Sequence, residues 1–358
     1  MATPHPIRRG IAGAAALAGG AATGIWAAER WRRRSEPVAP ELRHPVVWAP
    51  TDITNERVLR IARRAISIPT PMGPGVTLVT SRIPGPVGGP PVRVLRYEPH
   101  ERSTPGPALL WIHGGGTIMG RPEQAHAWCS RVAARLGIVV VSVQYRLAPE
   151  DPFPAGLDDC LAALEWLHDD AASLGVDPER IAVGGDSAGG GLAAALAQRA
   201  RDEGGPPIRF QLLVYPMLDD RTVLRADAEG LDGLLWTARS NRFAWTCYLG
   251  HPPTAEPERP WAAPARTTDL AGLPPAWIGV GDIDLFHDED VDYARRLEEA
   301  GVPCELHVVH GMFHAADNVL GGAPSMVDFR RRAVRALRVG LGLHAPDTPD
   351  APDAPAGA

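Results

Sequence analysis

The pattern Gly185-Asp186-Ser187-Ala188-Gly189 constrains the fold of this chain more than any other feature. The run before it, Ile181 to Gly184, is short and apolar like a buried strand, and the run after it, Gly191 to Ala197, is rich in the helix formers leucine and alanine. The flanking glycines permit the sharp backbone turn that exposes a serine between a strand and a helix. The pattern therefore predicts a nucleophilic serine in an α/β fold.

Short apolar runs alternate with helical stretches along most of the chain. Runs that lack polar alternation are typical of parallel strands buried on both faces. Helical stretches between them predict a mostly parallel central sheet flanked by helices. The six runs are Ala108 to Ile112, Ile138 to Val143, Ile181 to Val183, Phe210 to Tyr215, Ala276 to Val280 and Cys304 to Val309.

Two segments interrupt this alternation, residues 37–91 and about 218–273. We predict that they form a helical cap over the carboxyl ends of the strands, with peripheral packing as the alternative. The insertion is too long for an ordinary loop and carries aromatic residues, which disfavours disorder. The catalytic domain is accordingly predicted to span residues 92–344.

The two ends of the chain differ from the rest in composition. Residues 1–36 contain an Ala/Gly-rich run, Gly10 to Ala28, followed by an arginine cluster. A membrane anchor or uncleaved signal, a cleaved export signal and an unanchored extension all remain open. Weak membrane association through residues 10–28 would leave the domain in the cytoplasm, so a cytoplasmic or membrane-associated location is favoured over secretion. Residues 345–358 are predicted to be a disordered tail.

Composition narrows the chemistry. The net charge of −6 disfavours nucleic-acid binding. All 36 basic residues are arginine, so Schiff-base and Ser-x-x-Lys mechanisms are excluded. The four cysteines are scattered and predict neither a zinc site nor a disulfide framework. The spacing of His307, His310 and His314 fits no helical pair of metal ligands, so no metal is expected.

Polar residues follow several of the predicted strands, where the groups for acyl transfer would gather. The first run is followed by His113-Gly114-Gly115-Gly116, whose glycines let backbone N–H groups approach a substrate carbonyl. Asp282 and Asp284 follow the fifth run, and His310 and His314 follow the sixth. The order serine, acid, histidine is that of the α/β-hydrolase fold. The residues alone leave open which acid and which histidine act.

Together these motifs resemble the bacterial hormone-sensitive-lipase-like serine esterases of the α/β-hydrolase superfamily, over about Val92 to Gly340. The resemblance also includes Tyr145-Arg146-Leu147-Ala148-Pro149-Glu150, Tyr215-Pro216-Met217-Leu218-Asp219-Asp220 and Gly311-Met312-Phe313-His314. The family pattern Asp-Pro-Leu-x-Asp-Glu is matched by Asp284 to Glu289, except that Leu285 stands where proline is usual.

The resemblance implies that Ser187 is the nucleophile, His314 the base and Asp284 the orienting acid, with His310 and Asp282 as the alternatives. It implies that the backbone N–H groups of Gly115, Gly116 and Ala188 form the oxyanion hole. His113 is interpreted as a structural residue of its loop, and Arg146 and Glu150 as structural ion-pairing residues. No cofactor or metal is needed for this chemistry.

The expected function is hydrolysis of carboxylic esters of small to medium acyl chain through an acyl-enzyme. An amidase, deacetylase or lactone hydrolase would use the same triad and stays open. A non-catalytic ligand-binding protein on this fold is a further alternative, although such proteins usually lose a triad member. The expected partner is a small-molecule ester, and a homodimer is left open.

Overall fold

The computed structural model describes residues 35–45, 52–65, 69–225 and 233–343. Within them, eight strands form one sheet in the order β1-β2-β4-β3-β5-β6-β7-β8. The first two strands are antiparallel additions at one edge, and the pairs from β4 to β8 are parallel. The strands are β1 Val76–Ile83, β2 Val92–Pro99, β3 Gly106–Ile112, β4 Val139–Gln144, β5 Val176–Asp186, β6 Phe210–Val214, β7 Ala276–Gly281 and β8 Cys304–Val309.

Nine α-helices lie in the described residues. They are α1 Glu56–Ala65, α2 His126–Leu136, α3 Ala155–Asp169, α4 Ala171–Leu174, α5 Ala188–Glu203, α6 Ala238–Leu249, α7 His287–Glu299, α8 Ala316–Val319 and α9 Pro324–Gly340. Short 3₁₀ segments lie at Pro40–Leu42, Pro122–Ala125, Asp220–Leu224 and Pro264–Arg266.

The core covers both faces of the sheet. Successive residues of β3 alternate between two buried clusters: Leu110 packs with residues of α5, and Leu109 packs with residues of α9. Because both faces are covered, the central strands need apolar residues at every position. The predicted fold class, a mostly parallel sheet flanked by helices, is confirmed.

The structure differs from the prediction at the edge of the sheet. Residues 76–83 fall inside the segment predicted as cap, yet they form β1 and pair with β2 along its whole length. Both strands mix buried with partly or fully exposed positions, so they lack the continuous apolar run of the central strands. The catalytic domain therefore begins before residue 92.

The two irregular segments contact each other. The Ile53 N–H donates to Ser240 Oγ at 2.9 Å, and Thr237 Oγ1 donates to Asp52 Oδ1 at 2.6 Å. Further toward the start of the chain, the Ala39 N–H donates to the Gly311 carbonyl at 3.1 Å. The early part of the chain thus packs against both the insertion and the loop after β8.

Two sequence predictions fall on residues outside the described ranges. These are the membrane-associating run at 10–28 and the tail at 345–358. In the described part of the chain, no helix combines the length and the apolar character that crossing a membrane requires.

Candidate active site

Ser187 occupies a strained turn between β5 and α5. Its φ is 55° and its ψ is −122°, a conformation that costs a side-chain-bearing residue about 1–3 kcal/mol. The Ser187 N–H donates to the Val214 carbonyl at 2.9 Å, which ties the turn to β6. A Cβ on Gly189 would lie 2.0 Å from the Ile112 carbonyl oxygen, so this position accepts only glycine.

Ser187, His314 and Asp284 form one line of hydrogen bonds. Ser187 Oγ lies 3.0 Å from His314 Nε2, and His314 Nδ1 lies 2.8 Å from Asp284 Oδ2. Since a carboxylate only accepts, Nδ1 carries the proton and Nε2 is free to accept from the serine. The second carboxylate oxygen, Asp284 Oδ1, accepts from the Phe286 N–H at 3.0 Å. All three side chains are buried, which shields the Asp284–His314 pair from water.

The two alternative residues form a second, separate pair. His310 Nδ1 lies 2.6 Å from Asp282 Oδ2, and the Gly311 N–H donates to Asp282 Oδ1 at 2.7 Å. The His310 side chain is 92% exposed, whereas the His314 side chain is 6% exposed. Of these two histidines, only His314 contacts Ser187. The geometry therefore distinguishes the two acid–histidine pairs, between which the residues alone do not decide.

The glycine loop after β3 lies beside the serine turn. Ile112 pairs with Gly185 across the sheet, and the Gly114 N–H donates to Asp186 Oδ1 at 3.1 Å. Burial, together with repulsion from Asp317, raises the pKa of Asp186 to about 6. Asp186, which directly precedes the serine, therefore fastens the loop to the turn.

Three backbone N–H groups at this point have no acceptor among the described residues: those of Gly115, Gly116 and Ala188. Gly115 and Gly116 have φ values of 120° and 62°. A Cβ on Gly115 would lie 2.1 Å from the Met119 carbonyl oxygen, so a larger residue would displace the loop. Unpaired donors at the start of a helix and in a glycine loop are suited to bind a developing negative charge.

His113 holds the glycine loop from behind. Its ring stacks on Tyr145 with 4.4 Å between centroids, and its Nδ1 donates to the Gly114 carbonyl at 2.9 Å. Burial lowers the pKa of His113 to about 4, so the ring is neutral at pH 7. Tyr145 Oη in turn donates to the His113 carbonyl at 2.9 Å. These contacts agree with the interpretation of His113 as a residue of the loop structure.

Arg146 and Glu150 make ion pairs, although with different partners. Arg146 binds both carboxylate oxygens of Asp159, and Glu150 binds Arg63 of α1 through two hydrogen bonds of 2.7 and 2.8 Å. These contacts fix the segment that follows β4 against α3 and α1.

Three aromatic side chains surround the His314 ring. The sequence motifs alone do not identify them as residues of the site. Tyr215 and Phe286 contact it edge-on, with centroids 4.9 and 5.1 Å away, and Trp236 lies 6.4 Å away. Trp236 also stands over the glycine loop, because a Cβ on Gly116 would lie 2.4 Å from the end of its indole ring. Trp236 belongs to the insertion, so this segment forms a wall of the site.

Asp290 is a buried carboxyl group in the first turn of α7. Its side chain is fully buried, and neither carboxylate oxygen has a hydrogen-bond partner among the described residues. Burial, with repulsion from Glu289 and Asp284, raises the pKa of Asp290 well above its usual range. An ionised carboxylate here would be costly, so the folded protein retains a proton that the unfolded chain releases.

This difference predicts the effect of Asp290→Asn on stability. At pH values above the pKa that Asp290 has in the unfolded chain, the free energy of unfolding of the parent should fall with rising pH. This group should lower it by up to about 1.4 kcal/mol per pH unit. The variant should lack this loss, so its advantage should grow as the pH rises above the pKa of Asp290 in the unfolded chain, measured by urea titrations at a series of pH values. Asp292→Asn, at an exposed ion-paired site on the same helix, is the control. A pH-independent difference for Asp290→Asn would contradict the argument.

Comparison with known proteins identifies the family to which this chain belongs. A family model for the α/β-hydrolase fold matches residues 109–318. The esterase LipI of Mycobacterium tuberculosis is 40% identical over 274 residues, which cover 75% of this chain and 84% of the relative. The carboxylesterase NlhH of the same organism is 39% identical over 249 residues, covering 69% and 77%.

Solved structures agree with these relatives. A bacterial heroin esterase has a TM-score of 0.80 and 38% identity to this chain, covering 86% of this chain and 98% of that one. The esterase LipW from Mycobacterium marinum has a TM-score of 0.76 and 33% identity, covering 86% and 96%. The matched family range contains the serine turn, the glycine loop and both acid–histidine pairs. This chain therefore belongs to the hormone-sensitive-lipase-like family of α/β hydrolases.

Proposed function

We propose that this protein hydrolyses carboxylic esters of small to medium acyl chain through an acyl-enzyme on Ser187. The observation that carries the proposal is the buried line of hydrogen bonds from Ser187 Oγ through His314 to Asp284, at 3.0 and 2.8 Å. The relatives named above are esterases and carboxylesterases, which supports an ester as the substrate.

Acylation begins when Ser187 Oγ attacks the ester carbonyl carbon while His314 Nε2 takes the hydroxyl proton. The carbonyl oxygen becomes an oxyanion and accepts hydrogen bonds from the N–H groups of Gly115, Gly116 and Ala188. The carbon–oxygen bond to the leaving group then breaks, and the imidazolium of His314 gives its proton to the departing alcohol.

Deacylation repeats these steps with water. His314 Nε2 takes a proton from the water that attacks the acyl carbonyl, and then returns a proton to Ser187 Oγ as the carboxylic acid leaves. Asp284 holds the Nδ1–H tautomer of His314 and stabilises its positive charge in both halves of the reaction. Each cycle consumes one ester and one water and releases one acid and one alcohol.

The position of Trp236 supports a limit on substrate size. Its indole stands against Gly116 and near His314, and its Nε1 donates to Asn241 Oδ1 at 3.2 Å, which fixes the ring. A rigid indole beside both an oxyanion donor and the base restricts the room for groups attached to the ester carbonyl.

We therefore expect kcat/KM for p-nitrophenyl esters to fall from short to long acyl chains, measured from acetate to palmitate. Trp236→Ala should raise the long-to-short ratio by about tenfold, because methylenes gain room at about 1–3 kcal/mol each. Trp261→Ala, which removes a more exposed tryptophan of the same insertion, is the matched control. An unchanged chain-length preference in folded Trp236→Ala would refute this role. Faster cleavage of matched anilides than of esters would favour an amidase instead.

A further inference from the structure

Positive charge is concentrated at the beginning of the chain. The first 65 residues contain 11 of the 36 arginines but only five of the 42 acidic residues. Helix α1 carries four of these arginines and a single acid, Glu56. A cationic helix of this kind stands out in a chain whose net charge is −6.

Three arginines of α1 share one exposed face with an isoleucine. Arg57, Arg60, Ile61 and Arg64 follow the spacing i, i+3, i+4 and i+7, all four are exposed, and Ile61 is 65% exposed. None of these three arginines forms an ion pair with a described residue.

Three of the arginines of α9 differ in this respect. Arg330 pairs with Asp317, Arg332 with Asp328, and Arg335 with Glu305. Their charges are thus partly balanced within the protein, whereas the exposed face of α1 presents its positive charge outward.

A second apolar side chain lies on the element across from α1. A cleft of about 380 Å³ is lined by Arg63 from α1 and by Arg82, Pro90 and Pro91 from the β1–β2 hairpin. Val87, at the tip of this hairpin, is fully exposed, and Arg82 forms no ion pair with a described residue. The two elements that border one cleft therefore each present an exposed apolar side chain and unpaired positive charge.

We propose that α1 and the tip of the β1–β2 hairpin dock on an anionic lipid bilayer. Arg57, Arg60 and Arg64 bind the phosphate groups, and Ile61 and Val87 enter the boundary between head groups and acyl chains. Arginine supplies the attraction to anionic lipid, and the exposed apolar side chains favour a lipid surface over a purely polar polyanion such as nucleic acid.

Docking at this surface would place the candidate active site close to esters that are dissolved in the lipid. Ile53, just before α1, is hydrogen-bonded to Ser240 of the insertion that also carries Trp236. The docking face and one wall of the site are thus joined. This role in substrate supply rests on the proposed ester hydrolysis, whereas the binding itself does not.

The test is co-sedimentation of the full chain with vesicles of phosphatidylcholine alone or of equimolar phosphatidylcholine and phosphatidylglycerol. The parent should bind the anionic vesicles. The triple variant Arg57→Gln/Arg60→Gln/Arg64→Gln should bind them about 100-fold more weakly, since each arginine near the surface contributes about tenfold or less. Its kcat/KM for a soluble short ester should match the parent.

The control triple variant is Arg331→Gln/Arg332→Gln/Arg335→Gln on α9, which changes the net charge equally. It should bind within about threefold of the parent, because net charge alone is not the determinant. The proposal would be overturned if both variants lost vesicle binding equally or if the α1 variant bound like the parent. It would also be overturned if the parent bound duplex DNA as tightly as it binds the anionic vesicles. If the parent binds these vesicles but hydrolyses no soluble ester, the lipid-docking proposal stands and the proposed function fails.

Discussion

Replacing Ser187 by alanine should lower kcat/KM for a p-nitrophenyl ester by about 10⁴-fold or more. The substitution removes the only atom that attacks the carbonyl, while the glycine loop and His314 keep their places. Alanine also retains the backbone conformation at φ 55°, so the thermal midpoint of unfolding should stay close to that of the parent. The measurement is steady-state kinetics on protein whose fold is verified by circular dichroism.

Ser142→Ala is a suitable control for this experiment. Ser142 is a fully buried serine on β4, and its Oγ has no hydrogen-bond partner among the described residues. Removing that hydroxyl leaves no group unpaired, so activity should be unchanged. Activity of Ser187→Ala within tenfold of the parent would eliminate Ser187 as the nucleophile.

Asp284→Asn should lower kcat by about 10⁴-fold with little effect on the fold, as expected when the base is held in the wrong tautomer. An asparagine amide can donate to His314 Nδ1, which would place the ring proton on Nε2 and point it at Ser187 Oγ. The serine would then lose its proton acceptor. Steady-state rates across a pH series measure the effect.

The chain contains its own control for this change. Asp282→Asn alters the second acid–histidine pair, whose His310 is exposed and does not touch the serine. Its activity should stay within about threefold of the parent, since no transition-state contact is lost. Equal losses in the two variants would mean that the acids act through the loops they support, not through the orientation of the base.

Much of the site could be predicted because its chemistry demands particular residues at particular points of the chain. The turn at Ser187 requires glycines nearby, and Gly189 has no room for a Cβ beside the Ile112 carbonyl. Parallel strands buried on both faces leave unbroken apolar runs, so the residues that follow each run indicate the active edge of the sheet.

Other features depend on tertiary contacts that leave no pattern in the sequence. The choice between Asp282 and Asp284 depends on which histidine faces the serine, and both acids follow β7 within four residues. The role of Trp236 depends on how the insertion folds back over Gly116. Asp290 looks like an ordinary residue of a surface helix, and only its burial reveals an unpartnered carboxyl group.

The contact between Ala39 and Gly311 has a mechanical consequence. The Ala39 N–H is bonded to the Gly311 carbonyl, three residues before His314, and a Cβ on Gly311 would lie 2.3 Å from Ala39 N. Tension on the start of the chain is therefore transmitted to the loop that carries the base. A tether fused before residue 35 would apply its pulling force to that loop, whereas a tether fused after residue 343 would apply its force to α9.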